Sequence, residues 1–237
     1  MKPAQRTAEI PNFHAFSSRE ELAGELAKTV AEDLRNAIEK RGLATLVVSG
    51  GSTPKPFFVA LQQEPLDWSC LLVTVADERW VPTDHPESNE KLVRDHLIKG
   101  GARFISLYND APSAITGEES AEEAIRHMVL PFDVTILGMG PDGHTASLFP
   151  HHERLEDALE SSQRLCLGIE NAPKPPPERM TLTKHALMQS RRLMLHVTGA
   201  DKKEVLEEAM KPGDPADLPI RAFLHQDDLP LEIYWAE

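Results

Sequence analysis

Residues 133–150 read DVTILGMGPDGHTASLFP: an apolar run, then a loop with glycines at 138, 140 and 143. The run predicts a buried strand, and the glycines match G-x-G-x-x-G, the spacing of dinucleotide-binding loops. That reading requires a helix packed on the sheet directly after the glycines. Pro150 stands seven residues beyond Gly143 and leaves room for little more than one turn. Asp142 would set like charge against a pyrophosphate. The pattern also asks for an acidic residue closing a second strand about 20 residues on. Glu156, Asp157 and Glu160 lie near that spacing, but in a helical or loop context. The other reading is a flexible glycine-rich loop that delivers Asp142 and His144 to the strand ends. Histidine titrates near neutral pH and serves as a general base. His144 could equally cap a short helix or bond the backbone, and the loop alone does not decide.

On either side of this stretch, strands and helices alternate. Ser18 and Glu21 fit a capping box ahead of a helix over 17–41, with Leu22, Leu26, Val30, Leu34 and Ile38 on one stripe and Gly42 as the stop signal. Leu43–Ser49 and Leu71–Ala76 read as buried strands, with Pro54 positioned to begin a helix. A helix is expected near Ser88–Leu97, a short strand at Phe104–Leu107 and a helix at Glu118–Val129. Arg164–Ile169, Leu193–Thr198 and Leu231–Trp235 read as strands, and Asp201–Met210 as a helix. Such alternation predicts an α/β fold with a largely parallel central sheet. Ala172–Pro177 (APKPPP) reads as a surface loop rather than a linker. Ligands of open α/β sheets sit beyond the carboxyl ends of the strands. The loops after Ser49, Ala76 and Leu137 should therefore converge on one crevice.

The 237 residues suit one large domain, 41% hydrophobic and only 5% aromatic, so the core is mostly aliphatic. With 25 Lys and Arg against 38 Asp and Glu, the net charge is −13, which argues against nonspecific nucleic-acid binding. A few local N–H groups and cations can still hold a small anion. Cys70 and Cys166 sit in apolar runs and are expected to be buried, reduced thiols. The opening MKPAQRTAEIPN lacks the apolar core of a signal peptide, and no apolar run approaches the roughly 20 residues of a membrane span. A cytoplasmic protein with no membrane partner is the expectation. His144, His151 and His152 cluster without metalloprotease spacing, so no metal is expected, and His151 and His152 read as helix-start or surface residues.

Three further segments carry chemistry. Ser49-Gly50-Gly51-Ser52-Thr53-Pro54 joins a strand to a helix, and its N–H groups, hydroxyls and helix N-terminus suit one phosphate; an ordinary capped turn is the plainer reading. Asp77-Glu78-Arg79 follows a buried strand and opens a polar loop through Asn89. Arg79 could orient an anion or an oxyanion, or pair locally with Asp77 or Asp84. Arg179 and Thr181 alternate with apolar residues as on an edge strand, and either complete an anion site or face solvent.

SGGSTP at 49–54, DERWVPTDHPESN at 77–89, GMGPDGHTASLFP at 138–150 and RMTLT at 179–183, in this order and spacing, resemble the signature segments of the 6-phosphogluconolactonase family. The likeness runs from about residue 15 to the C-terminal strand. It implies a Rossmann-like α/β domain over 1–237, its largely parallel central sheet flanked by helices, of the type shared with glucosamine-6-phosphate deaminase and ribose-5-phosphate isomerase. It implies hydrolysis of 6-phospho-D-glucono-1,5-lactone to 6-phosphogluconate, the second step of the oxidative pentose phosphate pathway, without metal or nucleotide cofactor. The partner would be the small sugar-phosphate lactone, and the chain a monomer or weak homodimer. By position, Gly50, Gly51, Ser52 and Thr53 would contact the phosphate, with Arg179 as a second phosphate or sugar ligand. Arg79 would lie beside the lactone carbonyl or the phosphate, His144 would activate water, and Asp142 and Asp77 would orient these groups. The sequence departs from the family at Glu90, where an aromatic is usual, and at Lys184-His185, where an apolar residue and Pro are usual. Lys184 would add a cation near the phosphate or face solvent.

Two rivals remain. Deaminase relatives place a carboxylate shortly after the D-G-H triplet, and Thr145–Pro150 contains none, which favours simple hydrolysis. A non-catalytic sugar-phosphate sensor would need an appended DNA-binding or partner domain, and neither room for a helix-turn-helix before Ser18 nor a basic patch is expected.

Overall fold

The structure, a computed structural model, describes residues 12–237, so nearly all of the MKPAQRTAEIPN segment lies outside the described residues. In chain order the elements are β1 (Phe13–Phe16), α1 (Arg19–Arg41), β2 (Ala44–Val48), α2 (Lys55–Leu61), β3 (Leu71–Val75) and β4 (Asp77–Arg79). Then come α3 (Asn89–His96), β5 (Arg103–Phe104), α4 (Glu118–Arg126), β6 (Phe132–Leu137), α5 (Leu155–Glu160) and β7 (Cys166–Ile169). The chain ends with β8 (Arg179–Leu182), α6 (Lys184–Met188), β9 (Ser190–Thr198), α7 (Ala200–Ala209), α8 (Arg221–Leu224) and β10 (Leu231–Ala236).

Seven strands form one fully parallel sheet in the order β1-β10-β9-β6-β2-β3-β5. β2, β3 and β6 are buried along their whole length, as continuous apolar runs in a doubly covered sheet should be. From β2 the chain passes to β3 on one side, while β6 returns on the other. The crevice between their carboxyl ends is thus a topological switch point, the place where such sheets bind ligands.

Helix α1 shows how local signals set an element. Ser18 accepts from Glu21 N–H at 3.1 Å, and Gly42 closes the helix in the left-handed region at φ +74°. The capping box departs from the reciprocal form: the Glu21 carboxylate accepts from the N–H and hydroxyl of Ser17, not from Ser18 N–H. Leu22, Leu26, Val30 and Leu34 are fully buried, while Ile38 is only partly so. Pro54 caps α2 rather than entering it, and the short strand near 104 ends before Leu107.

A second sheet was not evident in the periodicity. β4, β8 and β7 form an antiparallel three-stranded sheet with β8 in the middle. Asp77-Glu78-Arg79 is therefore strand, not polar loop, and Arg164–Ile169 contributes its strand outside the parallel sheet. Arg179 and Thr181 lie on the central strand, not on an edge, and all four β8 residues are buried. Cys166 is buried as expected, and burial pushes its thiol pKa well up; Cys70 is only half-buried, in the 3₁₀ turn before β3. Among the described residues, no helix is long and apolar enough to cross a membrane.

An added Cβ at Gly42 would meet nothing within 4 Å, so only backbone strain opposes a side chain there. Gly42→Ala is expected to cost about 1 kcal/mol, read as a lower urea midpoint with an unchanged m-value.

Candidate active site

The loops after β2, β3 and β6 do converge. They line a cavity of about 350 Å³ at the carboxyl ends of the strands. Gly50, Gly51, Ser52 and Thr53 border it, as do Asp77, Arg79, His144 and Arg179. The first and third loops are joined directly, since Ser49 Oγ donates to Ile136 C=O and accepts from Gly138 N–H at 2.8 Å.

The loop opening at Gly138 never becomes a helix. Gly140 N–H donates back to His144 C=O at 2.9 Å, and Gly143 N–H to Gly140 C=O at 3.1 Å. Gly143 takes φ +73°, and a Cβ at Gly140 would sit 2.1 Å from His144 Cε1. The glycines make room for the His144 ring. That ring tilts against Phe149 at 4.9 Å between centroids, and its Nδ1 hydrogen-bonds Asp142 Oδ1. Burial alone would raise the Asp142 pKa, but the His144 hydrogen bond, with the charges of His144 and Lys174, holds it at about 2. At neutral pH Asp142 is thus an acceptor only, and the shared proton belongs to His144 Nδ1. In the neutral ring, Nε2 then carries the lone pair. Asp142 stands behind His144 rather than lining the cavity.

Arg79 and Arg179 are directly opposed across β4 and β8, which puts both side chains on one face with Asp77 and Thr181. Like charges facing each other are unfavourable, so their stems must be held. Arg79 Nη1 donates to Glu87 C=O at 2.7 Å and to Asn89 Oδ1 at 2.8 Å, while its Nε is buried without a partner among the described residues. Arg179 donates Nε to Pro176 C=O and Nη2 to Lys174 C=O and Pro175 C=O. Burial lowers the Arg179 pKa, and the Arg79 charge adds to this against the opposing pull of Asp77. The proline-rich segment is thus more than a surface loop. Its carbonyls cradle Arg179, and Lys174 and Pro175 border the cavity. Asp77 Oδ2 accepts from Ser147 Oγ at 2.6 Å, tying the His144 loop to the small sheet.

Four residues escaped the sequence reading. Glu78 has no exposed surface, and its carboxylate accepts from the N–H groups of Arg79, Asn89 and Glu90 and from Ser88 Oγ. Asn89 links Arg79 to Asp77 C=O, and its side chain fills the space that a Cβ on Gly50 would need. Lys202, at the start of α7, and His196, on β9, border the cavity beside Ser52 and Thr53. Glu78 and Asn89 stood inside a quoted motif. The only signal for Lys202 was its place in the first turn of a helix following a strand. Lys184 is corrected: it is the first residue of α6, whose N-cap is Thr183, and it is half-buried and outside the cavity. Glu90 is buried and paired with Arg94, also away from the cavity. His151 is exposed and paired with Asp217, and His152 Nε2 meets Glu170 C=O, so neither joins His144.

Two carboxylates titrate with opposite consequences. Asp142 sits at about 2, below its ordinary 3.8, so its contribution is fully present above about pH 4 and is lost as pH falls through 2. Burial drives Glu78 up to about 7 despite its four hydrogen bonds. Between pH 4.5 and 7 the folded chain keeps a proton that the unfolded chain has shed, so stability falls with rising pH on its account. Urea denaturation across this range is expected to show that fall, and Glu78→Gln to abolish it. Gln would also lower stability throughout, because its NH₂ would face donors.

Residues 17–235 match the family model described as glucosamine-6-phosphate isomerases/6-phosphogluconolactonase. The chain is 45% identical over 231 residues to a 6-phosphogluconolactonase of Rhizobium meliloti, covering 95% of this chain and 98% of the relative. A solved 6-phosphogluconolactonase from Shewanella baltica superposes with a TM-score of 0.92 at 41% identity, over 95% of this chain and 97% of that one. A monomeric glucosamine-6-phosphate deaminase of the NagB superfamily, at 18% identity and a TM-score of 0.77, covers 95% of this chain and 97% of its own and shares the fold. The chain belongs to the glucosamine-6-phosphate isomerase/6-phosphogluconolactonase family.

Proposed function

We propose that the protein hydrolyses 6-phospho-D-glucono-1,5-lactone to 6-phosphogluconate, acting in the cytoplasm within the oxidative pentose phosphate pathway. The observation that carries this reading is His144, its Nδ1 proton held by Asp142 and its ring on a cavity lined by cations. Lactone hydrolysis needs a water, a base and an oxyanion site. His144 Nε2 takes a proton from water as its oxygen attacks C1. The carbonyl electrons move onto oxygen, where Arg79 and Arg179 meet the developing charge. The tetrahedral intermediate collapses, the bond from C1 to the ring oxygen breaks, and His144 returns its proton to that oxygen.

The phosphate end is assigned to Gly50–Thr53, the N-terminus of α2 and Lys202. Burial depresses the Lys202 ammonium, as do the charges of Lys174 and Arg19, while Asp201 opposes them. A bound anion would relieve that strain. The segment Thr145–Pro150 offers no carboxylate for the proton transfers of a deaminase, which favours hydrolysis over the other reaction in the family description.

The test is a lactonase assay on freshly generated lactone, corrected for spontaneous hydrolysis. His144→Ala is expected to lower kcat by about two to four powers of ten, and an unchanged rate removes His144 from the mechanism. Two of the loop glycines should separate. Gly140→Ala collides with His144 and is expected to cost about a hundredfold in rate. Gly138→Ala, whose Cβ meets Ser49 at an ordinary 3.5 Å, should leave the rate nearly unchanged.

A further inference from the structure

His196 takes no part in the steps above. Its side chain projects from β9 beside the Gly50–Thr53 loop, and the residue is only 5% exposed. The ring borders the main cavity and also a smaller one of about 160 Å³, where Ser52, Thr53, Thr198 and Arg19 are neighbours. Nδ1 is sealed and without a partner among the described residues. A buried polar atom left unpaired is costly, and in a native structure it calls for an explanation. The Phe57 ring meets the imidazole edge-on at 6.3 Å and restrains its orientation. Burial, with the Lys202 charge, pushes the imidazole pKa down to about 4, so the ring carries one proton at neutral pH. A sealed N–H with no acceptor would waste that proton, which leaves Nε2 as the nitrogen that can donate to a ligand.

We propose that His196 is a specificity-determining residue of the phosphate end, donating Nε2–H to a phosphate oxygen held by the Gly50–Thr53 loop and Lys202. The identity of the ligand rests on the lactonase reading. A histidine suits this position better than a third ammonium. It supplies a directed donor without leaving another buried positive charge unpaired when the cavity is empty. It also favours a tetrahedral oxyanion at that end over a neutral hydroxymethyl group, which could not use the donor with the same strength.

Two variants and one titration test this. His196→Leu keeps bulk and removes the donor; it is expected to raise KM for the phosphorylated lactone about tenfold or more, with kcat close to wild type. His196→Gln retains a side-chain N–H and should recover most of the lost affinity. In the wild-type chain, titration with inorganic phosphate should shift the imidazole ¹⁵N and ¹H resonances of His196 to saturation. Unchanged KM in His196→Leu, a loss confined to kcat, or unmoved imidazole resonances at high phosphate would each overturn the proposal. If His196→Leu does not fold, the titration decides alone. A wild-type chain that shifts with phosphate but does not hydrolyse the lactone would sink the lactonase reading and leave His196 as an anion ligand. Normal hydrolysis with an indifferent His196→Leu would do the reverse.

Discussion

The Glu78 carboxylate is fully enclosed, and its oxygens take up the N–H groups of Arg79, Asn89 and Glu90 and the Ser88 hydroxyl. Those donors include the free N-terminus of α3, which no backbone carbonyl can satisfy. A negative charge there is favoured by the helix dipole, though burial opposes it. The consequence reaches the cavity through two short links. Asn89 is fixed at the helix start, and its amide holds Arg79 Nη1 and Asp77 C=O. The same amide occupies the space beside Gly50 that any side chain would need. One buried carboxylate that never touches the cavity thus positions the arginine and sets the width of the glycine loop beside it.

The charge distribution follows a similar economy. The chain carries a net charge of −13, yet the cavity gathers Arg79, Arg179, Lys174 and Lys202. The two arginines are held by neutral carbonyls and an amide rather than by full ion pairs. Their charge is left available to a ligand, while the overall field discourages polyanions. Asp142 and Asp77 are committed elsewhere, one to His144 and the other to Ser147. Among the described residues neither forms an ion pair with the arginines. A small anion with a second electron-rich group is what such a cavity can hold and polarise.

The alternation of strands and helices was legible because it is written in local periodicity. Ser18, Gly42 and Ser88 mark helix ends through contacts within four residues. The failure of the dinucleotide reading was legible as well: Pro150 leaves no room for the helix, and the structure has none there. The small sheet was hidden. β4 has three residues, all of them charged, and its partner β8 lies a hundred residues away in sequence. No period-two pattern can emerge from so short a strand, and the buried charge of Glu78 reads as solvent-facing until its donors are in view. Lys184 stayed open between two readings, since adjacency to a motif does not say whether a side chain lines the cavity.

Local signals along the chain were enough for the parallel sheet, the three loops at its carboxyl ends and the presence of His144 and Asp142 on one of them. Each depends on spacing within about fifteen residues, where chain connectivity limits the options. Tertiary structure alone decided that Arg79 would face Arg179, that the proline-rich carbonyls would hold one of them, and that Lys202 and His196 would join Ser52 and Thr53. Those choices depend on register between distant strands. A shift of one residue turns every side chain to the opposite face, and no local signal records it.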